Sequence, residues 1–196
     1  MRVLVLAGFL GSGKTTVALQ VARAARAAGL RVALIVNERG EAGVDNQLAA
    51  ALGFDVRELL GGCICCTLVA ELAPALESLA ATRRPDLVIV EPSGIAEPAQ
   101  IRAALRFARV PGMELLSATI VDAQRIAELM EVLSPLLAKQ LANADLAIVC
   151  KADIASAAEA EAARRIAGEH AAASATYVID ARKPLEADLR TALLGR

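Results

Sequence analysis

Gly8-Phe9-Leu10-Gly11-Ser12-Gly13-Lys14-Thr15 follows the apolar run Arg2–Ala7 and opens an alanine-rich stretch that reaches Ala28. The octapeptide satisfies G-x-x-x-x-G-K-[ST] in the context that gives the spacing its meaning, a strand before and a helix after. Glycines let the backbone curl until successive N–H groups converge on a phosphate at a helix N-terminus. Gly8, Gly11, Ser12 and Gly13 are the expected cradle, with Lys14 bridging the β- and γ-phosphates and the Thr15 hydroxyl on Mg²⁺. Thr16, next in the first turn, is within reach of the α-phosphate. Met1–Leu10 superficially resembles an export signal, with one Arg and then an apolar run, but it ends in a phosphate loop and reads as the first core strand.

Outward from this loop, short β-branched or leucine-rich runs alternate with amphipathic stretches. The predicted strands are Arg2–Ala7, Arg31–Val36, Phe54–Glu58, Asp86–Val90, Leu115–Val121, Asp145–Cys150 and Thr176–Ile179. They are almost continuously apolar, as expected of strands covered on both faces. Helices are predicted at Gly13–Ala28, Leu68–Ala81, Pro98–Phe107, Ala123–Leu133, Ala155–His170 and Pro184–Leu194, with Gly29 ending the first and Pro98 and Pro184 in first turns. The alternation predicts an α/β fold: a doubly wound, mostly parallel sheet of about seven strands with helices on both faces. Without a linker or repeat, residues 1–196 are expected to form one domain.

Composition narrows the function. The 21 basic and 22 acidic side chains are well mixed, for a formal charge of −1, and aromatic residues make up 2% of the chain. Neither a nucleic-acid partner nor an anionic membrane surface is expected. No uncharged stretch approaches the roughly 18 to 20 residues that cross a bilayer. A cytoplasmic location is therefore expected, where thiols stay reduced and clustered cysteines favour metal or redox chemistry over a disulfide scaffold. Three of the four cysteines fall in Gly62-Cys63-Ile64-Cys65-Cys66.

Two strand ends carry further chemistry. Glu91-Pro92-Ser93-Gly94 follows the strand that ends at Val90, and such an end lies beside the phosphate loop in these sheets. Glu91 is expected to hold Mg²⁺ through a water, and the Gly94 N–H to bond the γ-phosphate. Cys150-Lys151-Ala152-Asp153 follows another buried strand, where guanine-specific enzymes carry Asn-Lys-x-Asp. Asp153 would accept from guanine N1–H and its N2 amine, donors that adenine does not offer in that arrangement, while the Lys151 stem covers one base face. Cys150 stands where Asn would tie the base loop to the phosphate loop. A thiol is a weak donor, and losing one such bond costs about 0.5 to 1.5 kcal/mol, a several-fold loss of affinity.

With these residues in order, the chain resembles the SIMIBI class of P-loop GTPases and, within it, the CobW-like metallochaperones. The resemblance runs from Val3 to Asp153. Besides the phosphate loop it rests on Val36-Asn37-Glu38-Arg39-Gly40-Glu41 leading to Asp45, and on Glu58-Leu59-Leu60-Gly61-Gly62-Cys63-Ile64-Cys65-Cys66. It also rests on Glu91-Pro92-Ser93-Gly94-Ile95-Ala96-Glu97-Pro98, on Val121-Asp122-Ala123 and on Gln140-Leu141-Ala142-Asn143-Ala144-Asp145. Arg39 and Cys150 depart from the family's usual Phe and Asn. The sequence also ends where CobW-like proteins typically continue into a C-terminal domain, often histidine-rich. Here the one histidine is His170, so no storage of metal by a histidine tail is expected.

The resemblance implies a slow GTPase that couples its nucleotide state to binding and delivery of a metal or metallocofactor to a client protein. Thiolates suit Zn²⁺ and also Ni²⁺ or Co²⁺. Cys63, Cys65 and Cys66 cannot readily complete a tetrahedron alone, since adjacent cysteines tend to point apart. Two or three are expected to bind, with the remaining ligand from Glu38, Glu41, water or the same loop of a second subunit in a nucleotide-dependent homodimer. Residues Asn37–Asp45 and Leu60–Thr67 are the expected switches, and either Asp45 or Glu38 would orient the attacking water. Two other classes were weighed: a nucleotide-dependent redox or partner-binding regulator, and a small-molecule kinase. The kinase reading has the phosphate loop but no arginine-rich lid. Serine at both Cys65 and Cys66 is expected to remove most tight zinc binding and spare nucleotide binding. Zinc and nucleotide titrations of the double variant check this, and unchanged zinc affinity would refute the site.

Overall fold

The structure, a computed structural model, describes residues 1–36, 53, 55–58, 66–171 and 175–195. Seven strands form one sheet: β1 (Arg2–Ala7), β2 (Val32–Val36), β3 (Asp55–Glu58), β4 (Leu87–Glu91), β5 (Glu114–Asp122), β6 (Leu146–Cys150) and β7 (Ala175–Val178). Their order is β3-β2-β4-β1-β5-β6-β7 and every pairing is parallel. The helices among the described residues are α1 (Lys14–Ala27), α2 (Cys66–Thr82), α3 (Pro98–Leu105), α4 (Ile126–Ala142), α5 (Ala157–His170) and α6 (Ala187–Leu194).

Handedness decides which face each helix covers. From β1 the chain moves through α1 toward β2 on one side of the sheet, whereas β3-α2-β4, β4-α3-β5, β5-α4-β6 and β6-α5-β7 all move the opposite way. Right-handed crossovers then put α1 on one face and α2 to α5 on the other. The packing agrees. Leu4, Leu6, Leu34, Ile89 and Ile148 meet Val17 and Val21 of α1, while Val3, Val5, Val88 and Val90 meet Leu72 and Leu76 of α2 and Ile101 and Leu105 of α3. Val121 and Val149 meet Leu137 and Leu141 of α4 and Ile166 of α5. The half of the α1 face under β5 to β7 would be bare without α6, whose Leu189 and Leu193 fill it and are fully buried. Each such leucine contributes about 1.5 to 3 kcal/mol.

The same reversal fixes where chemistry can happen. β1 lies between β4 and β5, with chain excursions leaving to opposite sides, and this is the switch point at which α/β sheets open a crevice beyond their strand ends. The phosphate loop sits at that point.

Most element ends lie within three residues of the sequence expectation, and three departures have a visible physical cause. The helix predicted to stop at Leu133 runs on to Ala142 through Pro135, with non-helical dihedrals at Leu133 (φ −124, ψ 23). Proline disrupts the preceding turn, but Leu137 and Leu141 continue the apolar stripe onto the sheet, so the helix re-forms after its kink. Pro184 precedes α6 rather than opening it; Glu186 is the N-cap, and a turn in which the Lys183 N–H donates to the Asp180 carbonyl holds the chain back. β7 spans Ala175–Val178, while the Ile179 N–H still donates to the Val149 carbonyl just beyond it. Gly29 and Pro98 stand as expected. The N–H of Leu30 reaches back to the Ala25 carbonyl across Gly29 at φ +78, and Pro98 opens α3.

Among the described glycines, Gly8 has the least room for a side chain. Its φ is +139, and a Cβ there would lie 2.4 Å from the Ile120 carbonyl oxygen, backbone against backbone. Gly29 shares the positive φ but has open space around it. Alanine at Gly29 should therefore cost about 1 kcal/mol, the left-handed penalty alone. Alanine at Gly8 should cost about 2 to 4 kcal/mol, because strain and collision add. Urea-unfolding midpoints of the two variants check this; equal losses would show that the Ile120 contact is immaterial.

Candidate nucleotide and metal site

α1 starts without the usual devices. Its N-cap is Gly13 at φ +102, no side chain caps it, and no acidic residue lies in its first turn. The first N–H groups of a helix need partners, and they carry partial positive charge. A phosphate supplies both partner and countercharge. Ser12 is buried, and its hydroxyl has no hydrogen-bond partner among the described residues. Lys14 is buried too, with its ammonium 3.4 Å from the Phe9 carbonyl. Burial holds its pKa below the ordinary lysine value, and the Glu91 charge offsets part of that fall. Thr16 is exposed at the mouth of the loop.

Glu91 ends β4, beside the phosphate loop as expected. The Thr15 hydroxyl donates to its Oε1 at 2.8 Å. A hydroxyl and a carboxylate paired at a strand end form a hard-oxygen set of the kind Mg²⁺ takes, so these two residues fit that ion. Gly94 is seated directly on the phosphate loop. A Cβ at Gly94 would come within 2.6 Å of the Leu10 nitrogen and 3.1 Å of its α-carbon. Only glycine allows the loop after β4 to approach the phosphate loop so closely.

On the other flank, Lys151 adopts φ +63, a left-handed conformation uncommon outside glycine. Its ammonium lies 2.7 Å from Oδ2 of Asp122, a buried carboxylate at the end of β5 whose Oδ1 accepts from the Gln124 N–H at 3.1 Å. Cys150 is buried against the phosphate loop; a Cβ on Gly13 would lie 3.7 Å from the Cys150 Cβ. Burial first, and then the neighbouring Asp122 charge, push its thiol up to about 12. It is therefore an inert packing group at neutral pH. Asp153 faces an unexpected partner, Arg182, at 2.6 Å.

The structure thus gathers Gly8, Gly11, Ser12, Gly13, Lys14, Thr15, Glu91 and Gly94 at one sheet edge, with Lys151 and Asp153 on the loop after β6. The expectations for Glu38, Glu41, Asp45, Cys63 and Cys65 lie outside the described residues. Cys66 opens α2, and its backbone alone is described. Among the described residues no group of three or more His, Cys, Asp or Glu is placed to hold a metal.

Residues that sequence reasoning assigned no role complete the site. Gln140 of α4 is fully buried; its amide donates to the carbonyls of Gly94 (3.2 Å) and Ala96 (2.9 Å), while its backbone carbonyl accepts from the Thr119 hydroxyl. It ties the loop after β4 to the helix beyond the kink. Arg125 places Nη1 3.4 Å from the Leu10 carbonyl at the rim of the phosphate loop. A polar Gln within an apolar helical stripe was the visible signal for the first; for Arg125 and Arg182 there was none.

A phosphate bound against Lys14 is expected to bind with a pH dependence. The lysine pKa is lowered in the free site, and the charge of bound phosphates would raise it. Binding on the alkaline side is thus expected to take up a proton, and affinity to fall as pH rises toward and past the lowered value, which is below 10.5. Calorimetry of GDP binding in buffers of different ionisation enthalpy measures that uptake. Lys14→Arg, which does not titrate in this range, should abolish it; uptake that persists would assign the proton elsewhere.

Comparison with known proteins agrees with this geometry. Residues 2–182 match the family described as CobW/HypB/UreG, nucleotide-binding domain. The chain is 36% identical over 132 residues to the zinc chaperone CobW of a Sinorhizobium species, covering 63% of this chain and 37% of that protein. It is 36% identical over 116 residues to the zinc-regulated GTPase metalloprotein activator 1 of Dictyostelium discoideum, covering 53% and 24%. It therefore spans well under half the length of these two relatives. Among solved structures, HypB from Helicobacter pylori in complex with nickel superimposes with a TM-score of 0.68 at 14% identity, over 98% of this chain and 85% of that one, a likeness of fold. With that family matched over residues 2–182, the chain belongs to the CobW/HypB/UreG family of nucleotide-binding domains.

Proposed function

We propose that this chain acts as one GTP-binding unit that hydrolyses GTP slowly and couples its nucleotide state to the binding and delivery of a transition metal. Zinc is the first candidate for that cargo, and a metalloprotein or metallocofactor enzyme the client. The observation that carries this reading is the convergence of the phosphate loop, the Thr15–Glu91 pair and the Lys151–Asp153 loop on one sheet edge, in a chain whose sequence carries Cys63-Ile64-Cys65-Cys66. The names of the two relatives support the zinc and GTPase assignments. No described helix is long and apolar enough to cross a membrane, which is compatible with a cytoplasmic site of action.

In this reading the N–H groups of residues 11–15 and the Lys14 ammonium hold the β- and γ-phosphates. Mg²⁺, held by Thr15 and by Glu91 through water, would neutralise charge developing on the phosphoryl oxygens. Asp153 takes the guanine N1–H and N2 amine, and Lys151, anchored by Asp122, lays its stem along the base. Asp45 or Glu38 orients the attacking water. The Gly94 N–H bonds the γ-phosphate, and when that phosphate leaves, the loop after β4 and the segments 37–45 and 60–67 relax. Cys63, Cys65 and Cys66, helped by Glu38 or Glu41 or by a second subunit, hold the metal in an incomplete shell. Such a shell suits transfer, because permanent structural zinc normally has four protein ligands.

Coupling of this kind is reciprocal, so metal and nucleotide must each change the other's affinity. Zinc titration of the chain with GDP and with a non-hydrolysable GTP analogue should give affinities that differ by about 5- to 150-fold, the span of ordinary allosteric coupling. Identical affinities in the two states would overturn the coupling.

A further inference from the structure

Arg182 sits where a guanine base would have to bind. Its Nη2 lies 2.6 Å from Oδ2 of Asp153. Although Asp153 as a residue is exposed, its side chain is only 17% exposed, because the guanidinium covers it. Arg182 itself is 69% exposed and held from behind. Its Nε donates to Asp180 Oδ1 at 3.1 Å, its Nη2 approaches Asp180 Oδ2 at 3.4 Å, and its backbone N–H donates to the same carboxylate at 3.0 Å. Lys183 adds a second cation 3.7 Å from Asp180. The arginine thus bridges two carboxylates that follow neighbouring parallel strands, β6 and β7.

This arrangement competes with base recognition by Asp153. Guanine presents N1–H and the N2 amine side by side, and a carboxylate reads them with both oxygens. One of those oxygens holds the Arg182 guanidinium at 2.6 Å and only 17% of the side chain is left exposed, so the base reaches both oxygens by pushing the guanidinium aside. Asp180 offers the guanidinium a place to stay when it leaves, since three of its contacts are to that residue and its own turn is closed by the Lys183 N–H to the Asp180 carbonyl. We propose that Arg182 is an internal competitor for Asp153, which guanine must displace, so that it sets both the affinity and the salt dependence of guanine binding without contacting the phosphates. This inference rests on the reading that Asp153 recognises the base.

The sign of the effect makes it testable. Deleting a cation near a polyanionic nucleotide ordinarily weakens binding. Arg182→Ala is instead expected to tighten GDP about 3- to 10-fold, as the loss of a partly covered ion pair in the free protein allows. Affinity for inorganic pyrophosphate, which does not use Asp153, should not change. Raising the salt concentration from about 50 mM to about 500 mM should narrow the gap between wild type and variant, because screening weakens the competing pair. Arg182→Lys, lacking the planar fork, should fall between the two. Equal or weaker GDP binding by Arg182→Ala would overturn the proposal, as would tightening that extends equally to pyrophosphate. Asp153→Asn with GDP and XDP tests the underlying reading separately. A switch of preference to XDP upholds base recognition whatever Arg182 does; no switch removes the premise, and with it the competitor role.

Discussion

Backbone packed on backbone is the constraint on which this site depends. At the C-terminal end of β1 the phosphate loop is pressed from two sides, by the Ile120 carbonyl against Gly8 and by Gly94 against Leu10. Neither contact leaves room for a side chain. The loops after β1 and β4 and the end of β5 are therefore stacked at a spacing set by main-chain radii rather than by adjustable side chains. Gln140 extends the stack to a third element, because its amide holds the Gly94 and Ala96 carbonyls from within α4.

The charges are arranged on this frame in a consistent way. Three cations near the site face carboxylates at or just beyond strand ends: Lys14 faces Glu91, Lys151 lies on Asp122, and Arg182 lies on Asp153. Burying Lys14 makes its charged form costly, and a phosphate relieves that cost. Asp122 is more deeply buried than Lys151, so it serves as the fixed post and the lysine as the adjustable arm. The left-handed backbone at Lys151 directs the chain around that post, at the expense of a strained conformation that persists because the neighbouring contacts over-determine it.

Much of the fold was legible because parallel strands covered on both faces are apolar throughout, and runs such as Val3 to Leu6 or Leu87 to Val90 cannot be mistaken for exposed hairpins. The Gly29 helix end and Pro98 helix start were equally plain, since each rests on a local backbone preference. Local rules failed where tertiary contacts outweighed them. Pro135 reads as a helix stop, yet the burial of Leu137 and Leu141 carries α4 across it. Pro184 reads as a helix start, yet the Asp180–Lys183 turn delays α6 to Ala187. The phosphate loop and Glu91 were visible as motifs. The roles of Gln140 and Arg182 were not, because they depend on partners 46 and 29 positions away in the chain (Gly94 and Asp153).

By itself the sequence determined the composition of the site: a glycine-rich loop that can cradle phosphate, a strand-end carboxylate for Mg²⁺, a Lys-x-Asp pair for a base, and three closely spaced thiols. These follow from residue type and local spacing, which the chain carries wherever it folds. Tertiary structure alone decided which of these groups touch. The reversal of direction at β1 brings Glu91 to Thr15 across 76 positions, and it is through-space Coulomb attraction, which no local pattern encodes, that gives Asp153 to Arg182 and Lys151 to Asp122.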